Sequence, residues 1–585
     1  MGCSSVRPSR RPLRGLLRMP KVGAPPRMLV MIRGGLRAAS RSTHVMAAFL
    51  AIVAATAAAA GPSVQTRTGP VSGVTQGRVD VFQGIPYAAA PVGDLRWAPP
   101  SPRPAWTRLL DASHPGPPCP QVGAAGGIGG VVPSLEEDCL SLNIWRPAGT
   151  RPGAALPVIV WFHGGGMQTG TGSLYKGGWL AAHGRPTIVV TINYRLALMG
   201  FLALPGLDAE HPELGSGEYG VLDQQAALRW VQANIRAFGG DPARVTIAGE
   251  SGGAQSVCVQ LASPTARGLF QRAIVESGGC QWRFPSLTAS NAKGLQIAEA
   301  HGCTGAPAEI VGCMRRIPVG ELLPGAPGTG APSGGPAVGG GVLPLNIRET
   351  IAFGRMARVP VMQGANRSEA LYYVGPFFDG VGKPVTAEEY PQLLRGFFGD
   401  ATPAVLERYP LSAYRSPSYA FVAAIGDSGA VFMSRIGACN TLLADRLMAP
   451  WTTLYAFDFA DPDGPFPVPM FPFPTGGLTG PGHTSELAYL WENDGLTPAQ
   501  RRLSDVMIAY WTNFAATGDP NGAGLPPWPA FTQQRESVQV LAPGAVRAGA
   551  SYAAEHNCDF WRQIGFNSLY AWDGDHSPPP PRDRR

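Results

Sequence analysis

Apolar residues in this chain come in short unbroken runs separated by amphipathic stretches. Five runs, Leu156–Phe162, Thr187–Asn193, Val245–Ala248, Val359–Gly364 and Thr452–Phe459, have the length of buried strands. Strands apolar on both sides belong to a parallel sheet covered on both faces. Between the second and third runs, Gly220–Phe238 places Leu222, Ala226, Trp230, Val231 and Ile235 near one face, as a helix packed on such a sheet does. Val79–Phe82 alternates instead and fits an antiparallel edge strand. Strands alternating with helices predict an α/β fold: a large, mostly parallel central sheet flanked by helices, in a single domain with insertions. Pro324–Gly341, crowded with Gly and Pro, is read as a surface insertion within that domain. No internal repeat is visible.

Composition sharpens the boundaries. The 585 residues are 45% hydrophobic and 15% charged, ample for a large core. A formal charge of +7 invites a nucleic-acid partner, but its distribution argues against one. Residues 1–60 hold ten Arg and Lys and no acid; setting those ten of 47 aside leaves 37 basic against 40 acidic residues, a net of −3. The basicity belongs to a leader. Arg37 and Arg41 precede an apolar run, Met46–Ala60, that ends in the small-residue cleavage pattern Ala58-Ala59-Ala60. That run is shorter than the ~20 apolar residues a membrane span needs, so export is expected, to a secreted or periplasmic location, and no stable span. The chain is therefore divided into a leader (1–60, with Met28 or later as alternative starts), a folded domain (61–570) and a Pro- and Arg-rich tail (571–585) expected to be disordered. Eight of nine cysteines follow the leader, and none forms a C-x-x-C pair, which argues against a zinc ribbon or a thioredoxin-like site. Cys119 with Cys139, and Cys303 with Cys313, would each close a short loop.

The chemistry concentrates where a β-branched run, Val245–Ala248, ends in Gly249-Glu250-Ser251-Gly252-Gly253 and a helix predicted over Ala254–Leu261 follows. A serine on a tight strand-to-helix turn is held in strained geometry, with its hydroxyl clear of the sheet at a helix N-terminus. Such a hydroxyl needs a base, and the base needs a carboxylate to hold its tautomer. The order Ser, acid, His points to Glu369, just past the strand Val359–Gly364, and to His483 in Gly482–Leu487. Upstream, His163-Gly164-Gly165-Gly166 ends the strand Leu156–Phe162; successive glycines let backbone N–H groups converge on one developing oxyanion.

With Phe82–Tyr87, Gly93–Trp97, Glu137–Asn143, Ile192–Arg195, Gly200–Leu202, Phe238–Pro242, Trp511–Phe514 and Gly518–Asn521, these motifs resemble the type-B carboxylesterase/lipase family, which includes the cholinesterases. The resemblance covers residues 62–565 and implies an α/β-hydrolase fold and serine esterase activity through an acyl-enzyme. Carried over residue by residue, it implies Ser251 as nucleophile, His483 as base and then acid, and Glu369 as the orienting carboxylate. Gly165, Gly166 and Gly252 would supply the oxyanion N–H groups, and Glu250 and Ser277 would support the triad. It further implies disulfides Cys119–Cys139, Cys303–Cys313 and Cys439–Cys558, leaving Cys258 as a buried thiol and Cys280 unassigned. It implies no cofactor and no metal, and a small-molecule ester as partner; it does not fix the oligomeric state.

Some positions depart from the family pattern. Met167 replaces the aromatic residue usual after the glycine triplet, and Gly339 stands where Asp is common. The Cys119–Cys139 loop has no tryptophan to face a quaternary ammonium, which disfavours a cholinesterase. An adhesion domain of the same fold is disfavoured because the nucleophile, acid and histidine all stand here. A long-chain lipase would use the same machinery. The single Asn-x-Ser/Thr acceptor, Asn366-Arg367-Ser368, abuts Glu369, where a glycan would block the site; this suggests a bacterial exported enzyme.

Overall fold

The computed structural model describes residues 61–123, 132–323, 335–430, 436–465 and 475–565. The leader, the 571–585 tail, the first part (324–334) of the Pro324–Gly341 segment and the glycine-rich part of the Cys119–Cys139 loop lie outside them. Eleven strands form one sheet. In chain order they are β1 (Val74–Gln76), β2 (Val79–Pro86), β3 (Ser141–Pro147), β4 (Leu156–Phe162), β5 (Ile188–Ile192), β6 (Gly240–Glu250), β7 (Arg272–Glu276), β8 (Val361–Asn366), β9 (Leu454–Phe459), β10 (Val538–Leu541) and β11 (Arg547–Gly549). Their spatial order is β11-β10-β9-β8-β7-β6-β4-β5-β3-β2-β1, parallel from β10 to β5 and antiparallel at the margins. This is the mostly parallel sheet expected of an α/β-hydrolase. A small three-stranded sheet of Ser63–Gln65, Pro70–Ser72 and Leu110–Asp111 accompanies it.

The strand runs behave as their patterns dictate. β4, β5, β8 and β9 are buried almost throughout, because each sits in the middle of the sheet with both faces covered. Val79–Phe82 differs from expectation: it extends to Pro86 and is not the edge, since β1 pairs with it on its outer side. The helix over Gly220–Phe238 begins at Tyr219 as α1 (Tyr219–Asn234) and tightens to a 3₁₀ turn over Ile235–Phe238, where Gly239 at φ 92° ends it. One face of the sheet is packed by aromatic residues, with Trp161, Trp491, Trp511 and Trp528 all buried. The opposite face holds α1 and the helix α2 (Gly252–Ala262).

The quoted family motifs are cross-chain clamps. Arg96 of the Gly93–Trp97 motif grips Glu137 through two bonds of 2.8 and 2.7 Å and also donates to the carbonyls of Arg315 and Ile317. Arg195 holds the fully buried Asp223 in the same bidentate way, at 2.7 Å through both nitrogens. Paired charges of this kind tolerate burial because each supplies the other's hydrogen bonds.

Cys119–Cys139, Cys303–Cys313 and Cys439–Cys558 are disulfide-bonded, as the resemblance implied. Cys258 corrects the expectation: it is no free thiol but is bonded to Cys280, with Cα atoms 5.2 Å apart. The reason is packing. Cys258 lies midway along α2, which rests on β7, and Cys280 follows shortly after β7 ends.

Candidate active site

Parallel register brings the candidate residues to one edge. Phe162 pairs with Gly249, Glu250 with Glu276, and Glu276 with Gly364, so β4, β6, β7 and β8 end side by side. Ligand sites of open α/β sheets form beyond these carboxyl ends. Each strand there is followed by one of the motifs.

Ser251 stands between β6 and α2 with φ 55° and ψ −122°, a conformation L-residues adopt only under constraint. The constraint is visible. Its N–H donates to Glu276 O at 2.9 Å, and its carbonyl accepts from Gln255 at 2.9 Å. Gly249 and Gly253 permit the turn by closeness alone: a Cβ on Gly253 would stand 2.0 Å from Phe162 O, and one on Gly249 would stand 2.6 Å from the Gly253 carbonyl carbon.

The loop after β4 faces this corner. Gly165 and Gly166 have φ 102° and 62°. An added Cβ at Gly252 would lie 2.6 Å from Gly166 N, so two of the three candidate oxyanion glycines meet. Among the described residues, no carbonyl engages their N–H groups. His163 anchors the loop rather than reacting: its Nδ1 donates to Gly164 O at 2.9 Å, and its ring stacks on Tyr194, centroids 4.4 Å apart. Burial pushes it down to about 4, so it is neutral. Met167, at φ 59°, is fully buried in the core beside the loop.

His483 and Glu369 come together across 114 residues of sequence. Nδ1 lies 2.6 Å from Glu369 Oε2, and both side chains are buried. Glu369 Oε1 accepts from Asn366 N at 2.7 Å, which fixes the carboxylate. Nε2 of His483 lies 3.1 Å from Oε1 of Glu250, the residue before Ser251. Burial alone would push His483 down, but Glu250 and Glu369 outweigh it and lift it to about 9. Tyr372 and Tyr373 wall the imidazole, with ring centroids at 5.3 and 5.8 Å.

Ser277, also at positive φ (54°), accepts from Asn366 Nδ2 at 3.1 Å, so it reaches Glu369 through Asn366. Three neighbours escaped sequence reasoning. Asn366 was visible only as a glycan acceptor, yet it is 1% exposed and its amide also donates to Glu486 Oε2 at 2.5 Å. Glu486 lies inside the Gly482–Leu487 stretch, three residues after His483, a spacing that puts it on the same turn. Glu276, immediately before Ser277, takes a 2.8 Å bond from Trp511 Nε1.

A mostly parallel sheet carrying a strained serine, a glycine loop and a carboxylate-bound histidine at one carboxyl edge defines the α/β-hydrolase class. Residues 60–561 match the profile described as the carboxylesterase family. The chain is 34% identical over 501 residues to a fumonisin B1 esterase of Sphingopyxis macrogoltabida, covering 80% of this chain and 85% of that protein. It is 33% identical over 525 residues to liver carboxylesterase 1 of Oryctolagus cuniculus (83% and 89% covered) and 32% identical over 539 residues to cocaine esterase of Homo sapiens (86% and 91%). The chain belongs to the carboxylesterase family and is a carboxylic ester hydrolase. Among the described residues, no helix is long and apolar enough to cross a membrane.

Proposed function

We propose that this enzyme cleaves small-molecule carboxylic esters by a Ser251–His483–Glu369 triad. His483 Nε2 takes the Ser251 proton as the hydroxyl attacks the ester carbonyl. The N–H groups of Gly165, Gly166 and Gly252 stabilise the oxyanion. The imidazolium, held by Glu369, returns the proton to the departing alcohol, and water activated by His483 then frees the acid. The observation that carries this reading is the 2.6 Å His483–Glu369 bond on the same sheet edge as a serine at φ 55°. Glu250 and Ser277 act in support. The active domain is residues 61–570, exported behind the 1–60 leader and ahead of the 571–585 tail; four disulfides fit an oxidising destination.

Ser251→Ala is expected to lose p-nitrophenyl ester hydrolysis and organophosphonate labelling together, by on the order of 10⁶-fold in kcat. Turnover that survives this substitution overturns the proposal. A rate series on p-nitrophenyl esters from acetate to palmitate then separates an esterase from a lipase.

A further inference from the structure

Besides Glu369, two carboxylates, Glu250 and Glu486, act on His483, and a third, Glu276, adjoins Glu250 across the sheet. Glu250 ends β6 and Glu276 ends β7; they are in-register neighbours, so their side chains leave the sheet on one face. Glu486 arrives on the His483 loop and is tied to Asn366 at the end of β8. All three are buried, at 1%, 0% and 0% exposure. Glu276 Oε2, Glu486 Oε1 and both Glu250 oxygens have no hydrogen-bond partner among the described residues. The 3.1 Å approach of Glu250 to His483 is close, but it is not an aligned hydrogen bond.

Carboxylates crowded in a dry site cannot all ionise, because each added charge is both desolvated and repelled. Burial first, then mutual repulsion, pushes Glu250 and Glu276 well above the ordinary range, and Glu486 up to about 7. The geometry separates their roles. Glu369 and Glu250 each face an imidazole nitrogen, and Glu486 has the Asn366 amide. Glu276 has only a neutral indole N–H, from Trp511. A negative charge there would face Glu250 and Glu486 with no cation to answer it.

We propose that Glu276 is a positioning residue that works as a neutral carboxylic acid: Oε1 accepts from Trp511, and the proton on Oε2 serves the unpaired oxygens of Glu250 and Glu486. It thereby fixes their arrangement around His483 without adding a further charge. The consequence for catalysis rests on the triad reading above. His483 must be neutral to take the Ser251 proton, and every ionised neighbour biases it toward the imidazolium before substrate arrives. A neutral Glu276 limits that bias.

The test compares Glu276→Gln, neutral at every pH and still able to accept from Trp511 and to donate, with Glu276→Leu, which can do neither. Infrared difference spectra of the whole enzyme at neutral pH should show a protonated carboxylic acid band that Glu276→Gln lacks. The glutamine variant should keep kcat/KM and the acid limb of its pH profile, while the leucine variant loses about tenfold or more in kcat through misplaced neighbours. Stability supplies a third readout. A carboxyl raised in the folded state lends stability that is full below its unfolded value and is lost as pH climbs to the raised one. Glu276→Gln should therefore gain in Tm relative to the parent as pH rises, whereas a residue that only supplies a hydrogen bond gives a constant gap. A downward shift of the acid limb in Glu276→Gln, a constant Tm gap, or no lost acid band overturns the proposal. Failure of the triad reading would appear separately, as activity in Ser251→Ala, and would leave the acid band and the Tm trend untouched.

Discussion

Among the described residues, two buried histidine–carboxylate pairs share the same geometry. His483 Nδ1 meets Glu369 at 2.6 Å, and His556 Nδ1 meets Asp427 at 2.6 Å. All four residues are buried, and both histidines are raised by the carboxylate they touch. A cavity of about 560 Å³ even opens beside His556, lined by Arg367, Tyr414, Tyr419 and Arg547. What differs is the far side of the ring. His483 Nε2 lies 3.1 Å from Oε1 of Glu250, the residue before Ser251, at the corner the glycine loop approaches. His556 Nε2 has no hydrogen-bond partner among the described residues. Ser368 lines the same cavity but is not at positive φ; of the lining residues that distinction belongs to Asn557, at φ 53°. Its pair is instead knitted into structure: Tyr409 donates to Asp427 at 2.9 Å, Trp561 donates to Tyr409 at 2.8 Å, and Cys558 is bonded to Cys439. A histidine held by a carboxylate is thus only a prepared base. In the proposed mechanism the sheet edge makes one of the two a catalyst.

Exchanging the damage is the strongest way to break this comparison. His483→Ala should cost on the order of 10⁶-fold in kcat, because the proposed nucleophile loses its base. His556→Ala should leave kcat near the parent value but strip about 3–5 kcal/mol of stability, because it strands a buried Asp427. Urea denaturation alongside steady-state kinetics reads both. A His556→Ala protein that folds normally yet loses most of its kcat would erase the distinction.

How much of this was legible in the sequence follows the same line. Residues near one another along the chain could be read: the strands around Ser251, the glycines before and after it, and the ends of the sheet runs, because burial on both faces writes itself as apolar runs. Glu369 and His483 were legible only through their order and the family resemblance, with His556 set aside for lying two residues from Cys558. Lateral neighbours were invisible. Glu276 meets Glu250 through strand register, and Cys258 meets Cys280 through the seating of α2 on β7. In both cases the partner is chosen by packing across the sheet, which one-dimensional spacing does not record. Asn366 shows the reverse error. A surface-like acceptor motif turned out to be a buried amide holding Ser277 and Glu486.

A gentler intervention sharpens what the edge adds. Gly252 sits where an alanine Cβ would press within 2.6 Å of Gly166 N and 2.8 Å of its Cα, so Gly252→Ala must displace the glycine loop. Disturbing one proposed oxyanion donor should cost about 10²–10³-fold in kcat. Gly396, within the helix Tyr390–Phe398, has nothing within 4 Å of its Cβ position. Gly396→Ala should keep kcat and raise stability by up to ~1 kcal/mol through helix propensity. Equal kinetics in the two variants would remove the glycine loop from the chemistry.

The smallest effects expected are changes with pH, and they run in opposite directions at the two pairs. His483 must be neutral to act, and Glu250 and Glu369 lift it above the ordinary imidazole value against the effect of burial. kcat/KM should therefore rise with pH up to a value between about 6.5 and 9. His556 is raised by Asp427, against burial, and Asp427 itself is raised by burial. Groups raised in the folded state lend stability that is full below their unfolded values and lost as pH climbs through the folded ones. The Tm difference between the parent and the double variant Asp427→Asn/His556→Ala, which lacks both raised groups, should accordingly shrink as pH rises. Parallel Tm and kcat/KM measurements on the two proteins check this. A Tm gap that widens with pH would mean the His556–Asp427 pair is held by something other than its shared proton.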